Sequence, residues 1–75
     1  MQICVSMPKG EKLKMEVYSD QYISTLKQMI AEKKDIPINS QLLILNGKKM
    51  DDNTRFNNIK LDDKSTFDLF IIKKK

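Results

Sequence analysis

The chain has 75 residues and a formal net charge of +4, with 40% hydrophobic and 32% charged residues. This length accommodates one small domain, and the composition is typical of a folded protein rather than a disordered one. A single cysteine and no histidine exclude a disulfide framework and a Cys/His metal site, and they remove the commonest general base of enzymes at neutral pH. We therefore expect a chain that is not an enzyme and that uses no metal or cofactor.

Two N-terminal strands are predicted by alternating apolar and polar residues. The apolar positions have period two on both sides of the turn residues Pro8-Lys9-Gly10, and they are Met1, Ile3, Val5 and Met7, then Leu13, Met15 and Val17. This pattern predicts a β-hairpin.

One amphipathic helix is predicted next. Ile23, Leu26 and Ile30 recur at helical spacing, and Ser19 and Asp20 precede them as residue types that commonly cap helices. The helix must end by residue 35, because the proline at position 37 disfavours the helical conformation of the residue before it.

The middle of the chain predicts a second hairpin. The apolar run Leu42–Leu45 leads directly into Asn46-Gly47, a dipeptide typical of two-residue hairpin turns, and Lys48–Met50 should return as a short strand. The polar segment Asp51–Asn58 then indicates an irregular loop, anchored by Phe56 and Ile59.

The last predicted strand runs from Thr66 to Ile72. Alternation places Phe67, Leu69 and Ile71 on one face and Asp68, Phe70 and Ile72 on the other. These elements predict an α+β fold in which one helix covers one face of a single sheet. The opposite face should therefore meet water or a partner.

The basic residues favour a solvated surface over a nucleic-acid interface. Lys73, Lys74 and Lys75 account for three of the four excess positive charges, so residues 1–72 carry only +1. The internal lysines alternate with carboxylates, without the clustering and interleaved aromatic residues of a nucleic-acid surface. Salt-dependent binding of nucleic acid through the basic end remains the weakest of three functional alternatives.

Membrane insertion is also unexpected. The longest apolar run, residues 67–72, is interrupted by Asp68 and is far shorter than the roughly 20 residues of a membrane span. No signal-peptide pattern opens the chain, so we expect a cytoplasmic or nuclear protein and a monomer.

The chain resembles ubiquitin along all 75 positions without a gap. The identical residues are Met1, Gln2, Ile3, Val5, Gly10, Glu16, Val17, Ile23, Lys27, Ile30, Lys33, Ile36, Pro37, Gln41, Leu43, Ile44, Gly47, Lys48, Asp52, Ser65, Thr66 and Leu69. The resemblance implies a β-grasp fold over residues 1–72, a mixed five-strand sheet with one helix packed across one face. Residues 73–75 would be a basic tail or the start of a linker.

The resemblance also bears on covalent conjugation. Conjugated members of the family need a flexible end with two glycines, whereas this chain ends Ile72-Lys73-Lys74-Lys75. Leu42 and Ile72 stand where ubiquitin has arginines that dock on its activating enzyme, and an apolar side chain cannot replace a charged bidentate donor. We therefore expect that the activating enzyme does not activate this chain for conjugation. A protein modifier whose Gly-Gly end is missing from this sequence is the second alternative.

The leading hypothesis is a ubiquitin-like interaction domain at the N-terminus of a longer shuttle or adaptor protein. The resemblance implies that its apolar sheet face binds ubiquitin receptors, proteasome subunits or ubiquitin-interacting helices. We expect the partner-binding residues to be Pro8, Leu42, Ile44, Gly47, Lys48, Asp68, Phe70 and Ile72. The plainer alternative is that the apolar residues of this set only form the sheet, that Pro8 serves its turn and that Lys48 is solvated surface.

Overall fold

A computed structural model describes residues 2–61 and 65–72 of the chain, so Met1 and the predicted basic end at residues 73–75 lie outside the described residues. The elements in chain order are β1 (Gln2–Ser6), β2 (Lys12–Glu16), α1 (Ile23–Lys34), a 3-10 turn (Ile38–Ser40), β3 (Gln41–Leu45), β4 (Lys48–Lys49), a second 3-10 turn (Phe56–Asn58) and β5 (Thr66–Ile71).

The strands form one five-stranded mixed sheet in the order β2-β1-β5-β3-β4. β1 and β5 are parallel neighbours at its centre, and the other neighbouring pairs are antiparallel. Side chains of α1 and of one sheet face share a single apolar core. This is the predicted β-grasp arrangement, and the strand order is the feature that periodicity did not supply.

The core confirms the alternation predicted for β1, β2 and β5. Val5, Leu43 and Phe67, on three adjacent strands, are completely buried. The Phe67 ring meets Phe56 edge to face, with centroids 6.2 Å apart and planes at 89°. Phe56 therefore anchors the polar segment 51–58 to the core, as predicted.

The beginning of α1 differs from the prediction. Neither Ser19 nor Asp20 caps the helix, because the residue before its first turn is Tyr22, which makes no capping hydrogen bond through its side chain. Instead, the backbone N–H of Ile23 donates to the carbonyl of Thr54 at 2.9 Å, and that of Ser24 donates to the carbonyl of Asp52 at 3.2 Å. The helix start is thus satisfied by a segment distant in sequence.

The end of α1 agrees with the prediction. Asp35 adopts a left-handed conformation with φ 58° and ψ 40°, and its N–H donates to the carbonyl of Ala31 at 2.9 Å. A left-handed residue after the last turn is a common helix terminator, although glycine usually occupies it because it has no Cβ.

The second hairpin has the predicted turn. Asn46 and Gly47 both have positive φ, 54° and 79°, as a two-residue hairpin turn with the twist of the strands requires. β4 is one residue shorter than predicted, but Met50 remains attached because its N–H donates to the carbonyl of Leu43 at 2.9 Å.

β5 is one residue shorter than predicted. The strand ends at Ile71, and Ile71 is 50% exposed rather than buried with Phe67 and Leu69. β1 pairs with β5 only as far as Asp68, so Ile71 has a neighbouring strand on one side only. Because β1 does not extend beside it, the residue on the helix-facing side of β5 is exposed at this end of the strand.

Candidate protein-binding surface

Two neighbouring strands carry most of the predicted binding residues on the face away from α1. In the β3–β5 pair, Leu42 lies opposite Phe70 and Ile44 lies opposite Asp68. The intervening residues on both strands are buried in the core, so these four side chains point outward by alternation. The sequence prediction that they share one face agrees with this register.

Ile72 extends this row beyond the end of β5. Its N–H donates to the carbonyl of Ser40 at 2.7 Å, which holds the chain beside the start of β3. Ile72 and Leu42 line a common groove. We call Leu42, Ile44, Asp68, Phe70 and Ile72 the β3–β5 stripe.

Exposure is uneven along the stripe. Phe70 is 52% exposed and Ile72 is 39% exposed, whereas Leu42 and Ile44 are half-buried and therefore less exposed than these two. The apolar surface is therefore dominated by the C-terminal half of β5 and its continuation rather than by Ile44. None of the four apolar side chains is sealed beneath the molecule's own atoms.

The groove beside the stripe adds a residue that the sequence analysis missed. Ile38, in the 3-10 turn before β3, is 41% exposed and lines the groove together with Leu42 and Ile72. The groove has a volume of about 590 Å³, and Lys27 and Asp52 also contribute to its wall. A single isoleucine next to a proline has no periodicity, so no sequence signal marked it.

Lys27 and Asp52 form an ion pair of 2.6 Å between ammonium and carboxylate in that wall. The Lys27 side chain is 8% exposed, and that of Asp52 is 51% exposed. Gln41, which is also buried, donates through Nε2 to the carbonyls of Lys27 at 2.8 Å and of Ile36 at 3.1 Å. These contacts join the middle of α1 to the start of β3 and position Leu42 in the adjoining strand.

Asp68 is the charged member of the stripe. It is exposed, it lies between Ser6 on β1 and Ile44 on β3, and it forms no ion pair with any residue in the described ranges 2–61 and 65–72. An exposed carboxylate therefore lies within the apolar surface.

One lysine lies on each side of the stripe, and both lysines are on the outward face of the sheet. Lys49 on β4 pairs with Ile44, and Lys12 on β2 pairs with Ser6, so both belong to the outward face. The row Lys12–Ser6–Asp68–Ile44–Lys49 crosses all five strands. No sequence pattern marks Lys12 or Lys49, because their place beside the stripe depends on strand order.

The remaining predicted residues lie outside the stripe. Lys48 pairs with the buried Leu45, so it belongs to the sheet face that packs against the helix. Lys49 takes the position beside Ile44 on the outward face. Gly47 is exposed in the β3–β4 turn, where a Cβ would meet no atom within 4 Å. Pro8 is exposed in the β1–β2 turn, two residues beyond the Ser6–Asp68 pair.

Within ranges 2–61 and 65–72, no group of three or more His, Cys, Asp or Glu side chains could hold a metal ion. The helix found in this part of the chain lacks the length and apolar character needed to cross a membrane.

The fold and its outward apolar stripe define the class of small β-grasp domains. The sequence model of the ubiquitin family matches residues 3–74, and the chain belongs to the ubiquitin family. Similar proteins include ubiquitin-like protein 4A of Homo sapiens and of Oryctolagus cuniculus, each 31% identical over 71 residues, and that of Mus musculus, 28% identical over 71 residues. Each match covers 95% of this chain and 45% of the relative, so the chain spans less than half the length of these relatives.

Proposed function

We propose that this ubiquitin-like domain is a protein-interaction module of a longer shuttle or adaptor protein, and that it binds through the β3–β5 stripe. The binding partners would be proteasome receptors, ubiquitin-interacting helices or other ubiquitin-binding domains. Similarity to less than half of ubiquitin-like protein 4A supports a place within a longer chain. The cytosol and the nucleus are the proposed locations of such a module.

The observation that carries this proposal is the exposure of Phe70 and Ile72 on a sheet face that no other element of the described residues covers. Large apolar side chains that stand together in solvent are typical of interaction surfaces rather than of monomer packing. About half of a phenylalanine side chain, roughly 100 Å² of the 150–250 Å² that an aromatic residue can bury, remains for a partner to cover.

Nuclear magnetic resonance titration tests the proposal directly. The ¹⁵N-labelled chain would be titrated with a peptide containing one ubiquitin-interacting helix, and amide shifts would be mapped onto the sheet. Perturbations should centre on Leu42, Ile44, Asp68 and Phe70, with smaller effects in α1, because the helix lies on the opposite side.

A matched pair of variants distinguishes binding at this face from non-specific binding to exposed aromatic side chains. Phe70→Ala removes the most exposed apolar side chain of the stripe, and Tyr18→Ala removes an aromatic side chain that is 65% exposed elsewhere on the surface. The first should weaken binding and the second should not. Shifts that stay absent at millimolar peptide, or that follow Tyr18 instead of Phe70, would contradict the proposal.

A further inference from the structure

The charge pattern around the β3–β5 stripe restricts which partner it fits. The stripe runs along the strand direction of β3 and β5, whereas Lys12 and Lys49 lie across the strands, on opposite sides of it. An apolar strip with lysines on both borders complements an amphipathic segment whose own apolar strip has carboxylates on both borders.

The partner must supply a cation as well. Asp68 lies directly opposite Ile44 and two residues before Phe70, so a segment that covers either apolar neighbour also removes water from this carboxylate. A carboxylate that loses water without gaining a partner opposes binding, whereas one that gains a cationic hydrogen-bond donor does not.

The partner should be helical. The backbone N–H and C=O groups of paired strands such as β3 and β5 lie in the plane of the sheet, so a segment that lies on its outward face gains no ladder bonds from them. A segment that satisfies its own backbone groups, as a helix does, is therefore favoured over an added strand.

Spacing along the strand then defines the partner's pattern. Asp68, Phe70 and Ile72 follow one another at intervals of about 6.6 Å, twice the rise per residue of a strand. Four residues of an α-helix advance about 6 Å. A helix aligned with the strands thus places one side chain over each of these three residues when it uses positions i, i+4 and i+8, because eight residues advance about 12 Å against about 13 Å along the strand.

We propose that the partner of the stripe is an amphipathic helix with a lysine or arginine over Asp68. This inference rests on the proposed function of the stripe. Apolar side chains of that helix, one and two turns away, cover Phe70 and Ile72. Glutamate or aspartate residues on both borders of its apolar strip meet Lys12 and Lys49. This pattern makes Asp68 the residue that selects among helices of similar hydrophobicity.

Designed peptides test the pattern with the whole 75-residue chain. Two 18-residue helical peptides would carry leucines at i+4 and i+8 and glutamates on both borders, and they would differ only at position i, which is lysine in one and glutamate in the other. Affinities would come from amide-shift titration at low salt. The lysine peptide should bind about three- to tenfold more tightly, the range expected when an exposed attractive ion pair replaces a repulsive one.

Variants of the chain control for peptide helicity and overall charge. Asp68→Lys should reverse the preference between the two peptides, and Asp68→Asn should abolish it. Asp20→Lys changes the net charge by the same amount at an exposed position in the turn before α1, and it should leave the preference intact. The amide spectrum of each variant would verify that it folds.

Two results overturn this inference. If both peptides perturb the stripe with equal affinity and Asp68→Lys changes nothing, the partner chemistry is wrong while docking on this face stands. If neither designed peptide binds, the inference is refuted, and titration with the ubiquitin-interacting helix then shows separately whether the proposed function survives.

Discussion

Removal of the Asp52 carboxylate should destabilise the domain through the lysine it leaves behind. In the native fold Lys27, whose side chain is 8% exposed, pairs with Asp52 at 2.6 Å. Asp52→Ala would leave that ammonium almost without water and without its counter-charge. The backbone carbonyl of Asp52, which accepts the N–H of Ser24, would remain in place.

The size of the effect follows from the unequal exposure of the two partners. Removal of one partner from a fully buried ion pair costs about 3–5 kcal/mol. Asp52 is 51% exposed, so water screens the pair from one side, and we expect a loss of about 2 kcal/mol. For a domain of this size, whose total stability is about 4–11 kcal/mol, this loss lowers Tm by about 8–16 °C.

The loss of stability should largely disappear when the lysine is replaced instead. Lys27→Met keeps the unbranched apolar stem and removes the charge that needs a partner, so it should change stability by less than about 1 kcal/mol. Addition of Asp52→Ala to Lys27→Met should then have little further effect. The neighbouring Asp51→Ala is the matched control, because it removes an exposed carboxylate from the same segment.

Urea denaturation followed by circular dichroism measures all four variants at neutral pH, and thermal scans give the corresponding Tm values. The reasoning is refuted if Lys27→Met is as destabilising as Asp52→Ala, because the lost contact rather than the stranded charge would then dominate. It also fails if the two changes are simply additive in the double variant.

Three other substitutions have defined outcomes. Leu43→Ala removes a completely buried side chain from the centre of β3 and should cost about 3–4 kcal/mol in urea denaturation, because the sheet cannot close the cavity. Asp35→Gly should raise stability by about 0.5–1 kcal/mol in the same assay, because glycine adopts the φ of 58° without Cβ strain and the change removes a negative charge from the helix C-terminus. Phe70→Ala should weaken binding of a ubiquitin-interacting helix about tenfold in the titration, with stability changed by less than about 0.5 kcal/mol.

For each of these three predictions, a specific result would contradict the expected outcome. A loss below about 1 kcal/mol for Leu43→Ala would mean that the core repacks freely at that position. A destabilised Asp35→Gly would show that the aspartate side chain supports the helix end. A Phe70→Ala variant that unfolds more easily by over about 1 kcal/mol would assign this ring to packing rather than to recognition.

Local patterns in the sequence predicted most of the secondary structure. The period-two alternation of β1 and β5 is visible in the sequence because neighbouring side chains of a strand always point to opposite faces, whereas β3 is a continuous apolar run that shows no alternation. Asn46-Gly47 predicted its hairpin turn because asparagine and glycine tolerate positive φ, and Pro37 predicted the helix end because proline restricts the residue before it. The resemblance to ubiquitin, rather than any local pattern, supplied the β-grasp fold.

The helix start and the borders of the stripe were decided by tertiary structure. Carbonyls of the 52–54 segment replace the expected cap at the start of α1, and Ile71 is exposed because β1 stops short of it. Lys12 and Lys49, which are 37 positions apart in the sequence, border one surface through four pairings that involve three other residues. Periodicity reports where a side chain points relative to its own strand, whereas the free energy of packing between distant segments determines which strands become neighbours.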